Sequence, residues 1–203
     1  MTDVFVAPKH AAPNGPQNMS TLSSFCKNPK GISFQTQKPN EVIILFLRSH
    51  FVTNLSWIIF TVILLILPLI IIFLLPIFRI NFLSSQIAVR FTVVYVLFYY
   101  LLVFSYVFIS FLHWFYNVFI VSSERVVDID YSDIVVHNIA VTNLNHIEDV
   151  NYTQSGFVST LLNYGHLFVQ TAGNERNFEA YSIPKPREAT HIIGDLLGKG
   201  HSK

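Results

Sequence analysis

The residues best equipped for chemistry lie in the second half of the chain. Asp128, Asp130, Asp133, His137, His146, Glu148 and Asp149 offer carboxylates and imidazoles within a short span. Such a set could ligate a divalent metal or supply a general acid and base. Zinc sites usually show tight local spacing, such as His-x-x-x-His with a carboxylate. Here His137 and His146 are nine residues apart, in sequence that reads as strand, and no local motif joins them. Asp128 and Asp130 share a strand face, as ordinary solvated acids do. There is no Gly-x-Ser-x-Gly and no phosphate loop. The single cysteine, Cys26, falls in polar, tail-like sequence and reads as a free thiol there. The sequence therefore gives no catalytic residue, no metal ligand and no cofactor.

A second chemistry would be recognition of anionic lipid headgroups, which needs clustered Lys and Arg. From Ser122 to Lys203 there are six Lys and Arg against ten Asp and Glu, a net charge near −4. Lys185 and Arg187 are the candidates for a weak anion contact, and a dedicated headgroup site is disfavoured. Over the whole chain the formal charge is +1, which is not the balance of a nucleic-acid binder.

The elements that must carry these groups follow from composition. The 203 residues are 52% hydrophobic and 15% aromatic, but only 12% charged, with a mean hydropathy of +0.48. A soluble domain carries about 25% charged residues. The apolar residues are concentrated. Phe51 to Phe78 contains no Asp, Glu, Lys, Arg or His, and a second uncharged run of 22 residues goes from Phe91 to Leu112. About 20 apolar helical residues cross a hydrocarbon core of roughly 30 Å. The runs predict two membrane spans, about residues 54–78 and 91–114. The 12-residue connection from Arg79 to Arg90 makes them an antiparallel hairpin.

Trp57 opens the first span and Trp114 closes the second, so both indoles fall at one interface. Arg48, Arg79 and Arg90 flank the spans as further interface anchors. Pro68 lies inside the first span and predicts a kink, whose freed backbone groups need partners locally or on the second helix. Neither uncharged run holds an acid, base or cation at membrane depth, so a conduit or proton relay is not expected. The first 50 residues hold Lys9, Lys27, Lys30, Lys38 and Arg48, against Arg79 and Arg90 in the connection. That excess places both termini on the cytoplasmic side.

Residues 1–40 read as a disordered tail, rich in Pro, Asn, Ser and Thr. Glu41 to His50, apolar but bracketed by charge, reads as a short juxtamembrane strand or interfacial segment, so residues 41–114 form the membrane unit. From about 115 to 198, short β-branched and aromatic runs alternate with turn residues. They predict about seven antiparallel strands. Pro186 then starts an amphipathic helix whose stripe is Ala189, Ile192, Ile193, Leu196 and Leu197, with Gly198 as its stop and 199–203 as a tail. The fold expected is a membrane α-helical hairpin plus a mainly-β domain, a small barrel capped by the C-terminal helix.

This second half resembles the bacterial pleckstrin-homology-like (YdbS-like) membrane proteins, a family largely of unknown function. The resemblance rests on Phe119-Ile-Val-Ser-Ser-Glu-Arg-Val-Val-Asp-Ile-Asp130, Asn143-Leu-Asn-His-Ile-Glu-Asp-Val150, Gly156 to Gly173 and Ile183-Pro-Lys-Pro-Arg-Glu-Ala-Thr-His-Ile-Ile193. Glu41 and Arg48-Ser-His50 before the first span fit it as well. Ser123-Glu124 departs from the family's turn, which favours Thr followed by Asp or Asn. The resemblance implies a pleckstrin-homology-like barrel and carries no catalytic residues. The function expected is a non-enzymatic protein-interaction or scaffolding module at the bacterial inner membrane. Its partners would be the lipid bilayer and an unidentified protein or a second copy. A lipid-sensing module is the alternative, and a metal-dependent enzyme the second.

Overall fold

The computed structural model describes residues 17–34, 36–75, 77–78, 85–131, 137–172 and 177–200. Three short strands come first, β1 (Gln17–Asn18), β2 (Phe25–Lys27) and β3 (Pro29–Lys30), then a longer one, β4 (Ile43–Arg48). A 3-10 turn at Phe51–Asn54 leads into helix α1 (Leu55–Leu74), and helix α2 (Gln86–Tyr116) returns. Strands β5 (Val118–Ser122), β6 (Arg125–Tyr131) and β7 (His137–Asn143) follow, and after a turn at Leu144–His146, β8 (Ile147–Thr153). A short helix α3 (Phe157–Leu161) precedes β9 (Tyr164–Thr171), β10 (Phe178–Pro184) and the C-terminal helix α4 (Pro186–Gly200).

Helices α1 and α2 are 20 and 31 residues long, about 30 and 46 Å at 1.5 Å per residue. Both are long and apolar enough to cross a membrane, and almost none of their residues is buried in the protein. Uncovered apolar surface on this scale marks a membrane or an interface. The second helix starts earlier than its uncharged run, at Gln86, and takes the exposed Arg90 into its first turns. Ser85 caps it, its hydroxyl oxygen accepting from Ile87 N at 3.2 Å. Arg79 and residues 80–84 of the connection lie outside the described residues.

The β domain holds two principal antiparallel sheets, of order β2-β4-β5-β6-β7 and β10-β9-β8, plus a two-residue parallel pair, β1-β3. One core joins the sheets. Leu45, Leu47, Val121 and Val126 from the first meet Leu167, Val169 and Ile183 from the second. Helix α4 adds Ala189 and Ile193 to that core, on the expected stripe. Among the described residues no strand pairing closes the sheets into a barrel.

The segment before the hairpin differs most from expectation. Of the two readings its sequence allows, Ile43–Arg48 takes the strand, and it lies inside the larger sheet, paired with β5 from Ile43↔Ser122 to Arg48↔Val118. It is buried on both faces, which is why it reads as a continuous apolar run. The part after the hairpin thus supplies six strands, and β4 the seventh long one. Nor are residues 18–34 a tail. Strand β2 pairs with β4, and Met19, Ile32 and Phe34 cover the sheet's outer face over Cys26, Ile43, Phe46, Ile120 and Val127. Three spaced apolar side chains are enough to dock an otherwise polar segment. Cys26 is 4% exposed, and burial pushes its thiol pKa up. Helix α4 also runs past Gly198 to Gly200.

Candidate functional site at the root of the hairpin

Strands β4 and β5 are neighbours in the sheet, yet the whole hairpin lies between them in sequence. Their pairing at Arg48↔Val118 brings the start of α1 and the end of α2 to one place. The side chains gathered at that root, and at the opposite end of the two strands, are those the sequence could not assign.

At the opposite end, Glu41 is buried. Its carboxylate accepts from Arg125 Nε at 2.9 Å and Nη2 at 2.7 Å, from Ser122 Oγ at 2.5 Å and from Lys38 N at 3.0 Å. The Arg125 guanidinium holds the carboxyl at about 2, well below its usual range, against the opposing effect of burial. The Ser122 oxygen in turn accepts from the N–H groups of Glu124 and Arg125, fixing the β5–β6 turn. This is a bidentate clamp on a turn.

At the root, Arg48 is buried rather than exposed to headgroups, so it is not an interface anchor. Its guanidinium lies over Phe115 at 4.4 Å and over Trp114 and Phe46 at 5.3 Å, and Nη1 donates to Thr21 O at 3.0 Å. Its Nε has no hydrogen-bond partner. No carboxylate among the described residues pairs with it. The ring faces offset part of the cost of burying this cation. Burial still lowers its pKa, but a guanidinium stays protonated. Arg48 thus ties the end of β4 to the end of α2 and to the N-terminal segment.

Trp114 also faces the protein. It is buried, and its Nε1 donates to Ser49 O at 2.9 Å. Trp57, half-buried on α1, donates to Asn54 Oδ1 at 3.1 Å. Both indoles do sit at the same end of the hairpin, each fixed by a protein acceptor. The second sheet is joined here too. Strand β10 has a bulge between Ala180 and Ile183, with Ser182 in the left-handed region at φ 50. That turn presents Ser182 O to His50 N at 2.7 Å and Tyr181 O to Ser49 Oγ at 2.9 Å. His50 Nδ1 accepts from Val52 N at 3.2 Å, and the ring stacks on Tyr164 at 5.4 Å. Burial pushes the His50 pKa down, consistent with a neutral ring whose Nδ1 is an acceptor.

Inside the hairpin, α1 continues through Pro68. Proline removes the N–H that would bond Leu64 O. Tyr99 Oη from α2 donates to that carbonyl at 2.9 Å, and Tyr100 Oη to Leu65 O at 3.1 Å. The partner expected on the second helix is therefore Tyr99. The sequence signal was a tyrosine pair in a Phe-rich span, but not which carbonyl it serves.

The remaining candidates do not assemble. Lys185 Nζ is 3.7 Å from Glu188, which also pairs with Lys27 at 2.6 Å, while Arg187 is exposed. A cation already beside a carboxylate is a poor anion site. Asp128 and Asp130 are half-buried on β6, His146 is exposed in the turn, and Asp149 accepts from Val150 N at 2.8 Å. Among the described residues no three His, Cys, Asp or Glu come together as a metal site. Asp133 and the His137 side chain lie outside the described residues. The root is a mechanical junction: hydrogen bonds and stacked rings join two apolar helices to both sheets. Comparison with protein-family models, curated proteins and solved structures found no match.

Proposed function

We propose that this chain is a non-enzymatic, membrane-anchored interaction module. In this reading the hairpin spans the inner membrane of a bacterium with both termini cytoplasmic, and the β domain is a member of the pleckstrin-homology-like type. Its task is to hold a protein-binding surface at a fixed place on the membrane. The observation that carries the reading is the edge strand β7. It ends the five-stranded sheet, and Ile139, 61% exposed, and Val141 stand out from it. An edge strand with exposed apolar side chains is a template for strand addition by a partner or a second copy. The junction at the root supports it as well, because a domain joined to its anchor at several points presents that edge in one orientation. A headgroup sensor would instead need uncommitted cations, and the domain is near −4.

The test is photocrosslinking from position 139 in native membranes, followed by mass spectrometry. Protein adducts from position 139 that disappear when Val141→Lys is added support the module. Recovery of lipid adducts alone overturns it.

A further inference from the structure

The connection between β8 and β9 is built with its polarity reversed. Ser159 is 6% exposed, and its hydroxyl sits 2.6 Å from Ser155 O and 2.8 Å from Gly156 O. Gln154 Nε2 donates to Ser159 O at 2.8 Å. The apolar side chains point the other way: Phe157 is 81% and Leu161 69% exposed, with Val158 and Leu162 beside them. Gly156, at φ 96, makes the sharp turn into α3 that sets this orientation. Helix α3 therefore carries a bare apolar face whose alternative, turning inward, is blocked by the hydrogen bonds beneath it.

Its position says what covers that face. Tyr164, which opens β9 directly after α3, stacks on His50, five residues before α1 begins. The pairings Thr153↔His166 and Tyr164↔Pro184 put the ends of β8, β9 and β10 together. The bonds from Ser49 and His50 to Tyr181 and Ser182 place that end of the sheet at the hairpin root. The hairpin presents its own exposed apolar residues, Phe51 and Leu55, at this same end. Charge agrees. From Val150 to Asn174 there is no Asp, Glu, Lys or Arg, in a domain otherwise dense in acids.

We propose that α3 is a second membrane contact, dipping Phe157, Val158, Leu161 and Leu162 into the lipid interface beside the hairpin. This rests on the reading that α1 and α2 span the bilayer. Partly inserted short apolar faces sit about 5–10 Å deep, at the boundary of headgroups and acyl chains. The hairpin would fix the domain's place, and α3 would fix its tilt and rotation.

The experiment uses the full chain in bilayer nanodiscs, with Cys26→Ala removing the one native thiol. An environment-sensitive fluorophore is attached at Thr160→Cys, which leaves all four apolar side chains in place. Parallel samples carry it at Ile70→Cys, mid-helix in α1, and at Glu124→Cys, in the turn remote from the root. Lipids spin-labelled near the headgroup, lipids spin-labelled deep in the chains, and aqueous iodide serve as quenchers. The expected result at Thr160→Cys is blue-shifted emission, strong quenching by the shallow lipid and weak quenching by iodide. Ile70→Cys answers to the deep lipid and Glu124→Cys to iodide. Iodide quenching at Thr160→Cys equal to that at Glu124→Cys overturns the proposal. Protection there from iodide and lipid alike means a protein covers the helix, and also overturns it. If Ile70→Cys escapes the deep lipid, the spanning hairpin itself is wrong.

Discussion

Pro68 and Tyr99 make a matched pair, and their coupling can be measured. Tyr99→Phe removes only the hydroxyl that serves Leu64 O at 2.9 Å. With proline four residues on, that carbonyl has no helical donor to return to. Leaving a desolvated acceptor unpaired costs about 1–3 kcal/mol. Interhelical hydrogen bonds measured in membranes average about 0.6 kcal/mol and reach about 1.7. A loss of about 1–1.5 kcal/mol is therefore expected for Tyr99→Phe in the native chain. In a Pro68→Ala background the restored N–H reaches Leu64 O, and the same substitution should cost about 0.5 kcal/mol or less. The interaction energy of the cycle is then about 1 kcal/mol, roughly fivefold in the folding equilibrium. Reversible unfolding in mixed micelles, followed by the fluorescence of Trp57 and Trp114, measures all four proteins. Tyr100→Phe is the control, since Leu65 O keeps the N–H of Leu69 and should couple less. Equal losses for Tyr99→Phe in both backgrounds would refute the idea that the tyrosine serves the proline.

Breaking the buried clamp by Glu41→Gln should destabilise the domain by roughly 3 kcal/mol or more, because Arg125 loses its counter-charge; chemical denaturation in detergent reads it. The folded Glu41 pKa of about 2 lies below the 4.5 of an ordinary glutamate, because the Arg125 guanidinium holds its carboxylate. Its stabilisation is full above 4.5 and is lost as pH falls from there toward 2, so the acid limb of a stability–pH curve should flatten in Glu41→Gln. Gly165→Ala would place a Cβ 2.6 Å from Thr153 O, and separating β8 from β9 to fit it should cost about 1–3 kcal/mol; a lowered midpoint with an unchanged transition slope is the expected outcome. Cys26 should react with a water-soluble maleimide only on unfolding; reaction at the rate of a model thiol would contradict its burial against the outer face of the sheet.

Much of the architecture is legible from local pattern. Two uncharged runs give the helices, and the stripe from Ala189 to Leu197 gives α4, because each signal is contained within its own element. Strand β4 was legible as a short strand or an interfacial segment, but its place inside the sheet was not. Its partner β5 lies beyond the hairpin, and six apolar residues ahead of a span look like an approach to the membrane. The N-terminal cover failed for a related reason. Met19, Ile32 and Phe34 follow no period, and only the sheet they lie on gives them a common face. At the root, Arg48 read as an anchor because Lys and Arg beside spans usually snorkel. The groups that enclose it come from three separate points in the chain, Thr21, Phe46 and the pair Trp114 and Phe115. The backbone of Ser182, whose bulge joins the second sheet to His50, carries no sequence signal, since serine is not a residue that advertises a positive φ.

Placing the hairpin between two neighbouring strands also sets a timetable for synthesis. The 69 residues from Ser49 to Asn117 separate β4 from β5. At about 5–20 residues per second, that is a delay of roughly 3 to 14 seconds. Through that interval β4 leaves the ribosome with the edge that pairs with β5 bare, and under the proposal that the hairpin spans a membrane the helices reach the bilayer before the sheet can form. A chain that inserts correctly brings β5 back beside β4 at the moment α2 is complete. A chain that fails to insert keeps an exposed apolar strand, the kind of edge on which aggregation starts. Under that proposal the pairing of β4 with β5 also reports on insertion, because the two strands meet where both ends of the hairpin come together.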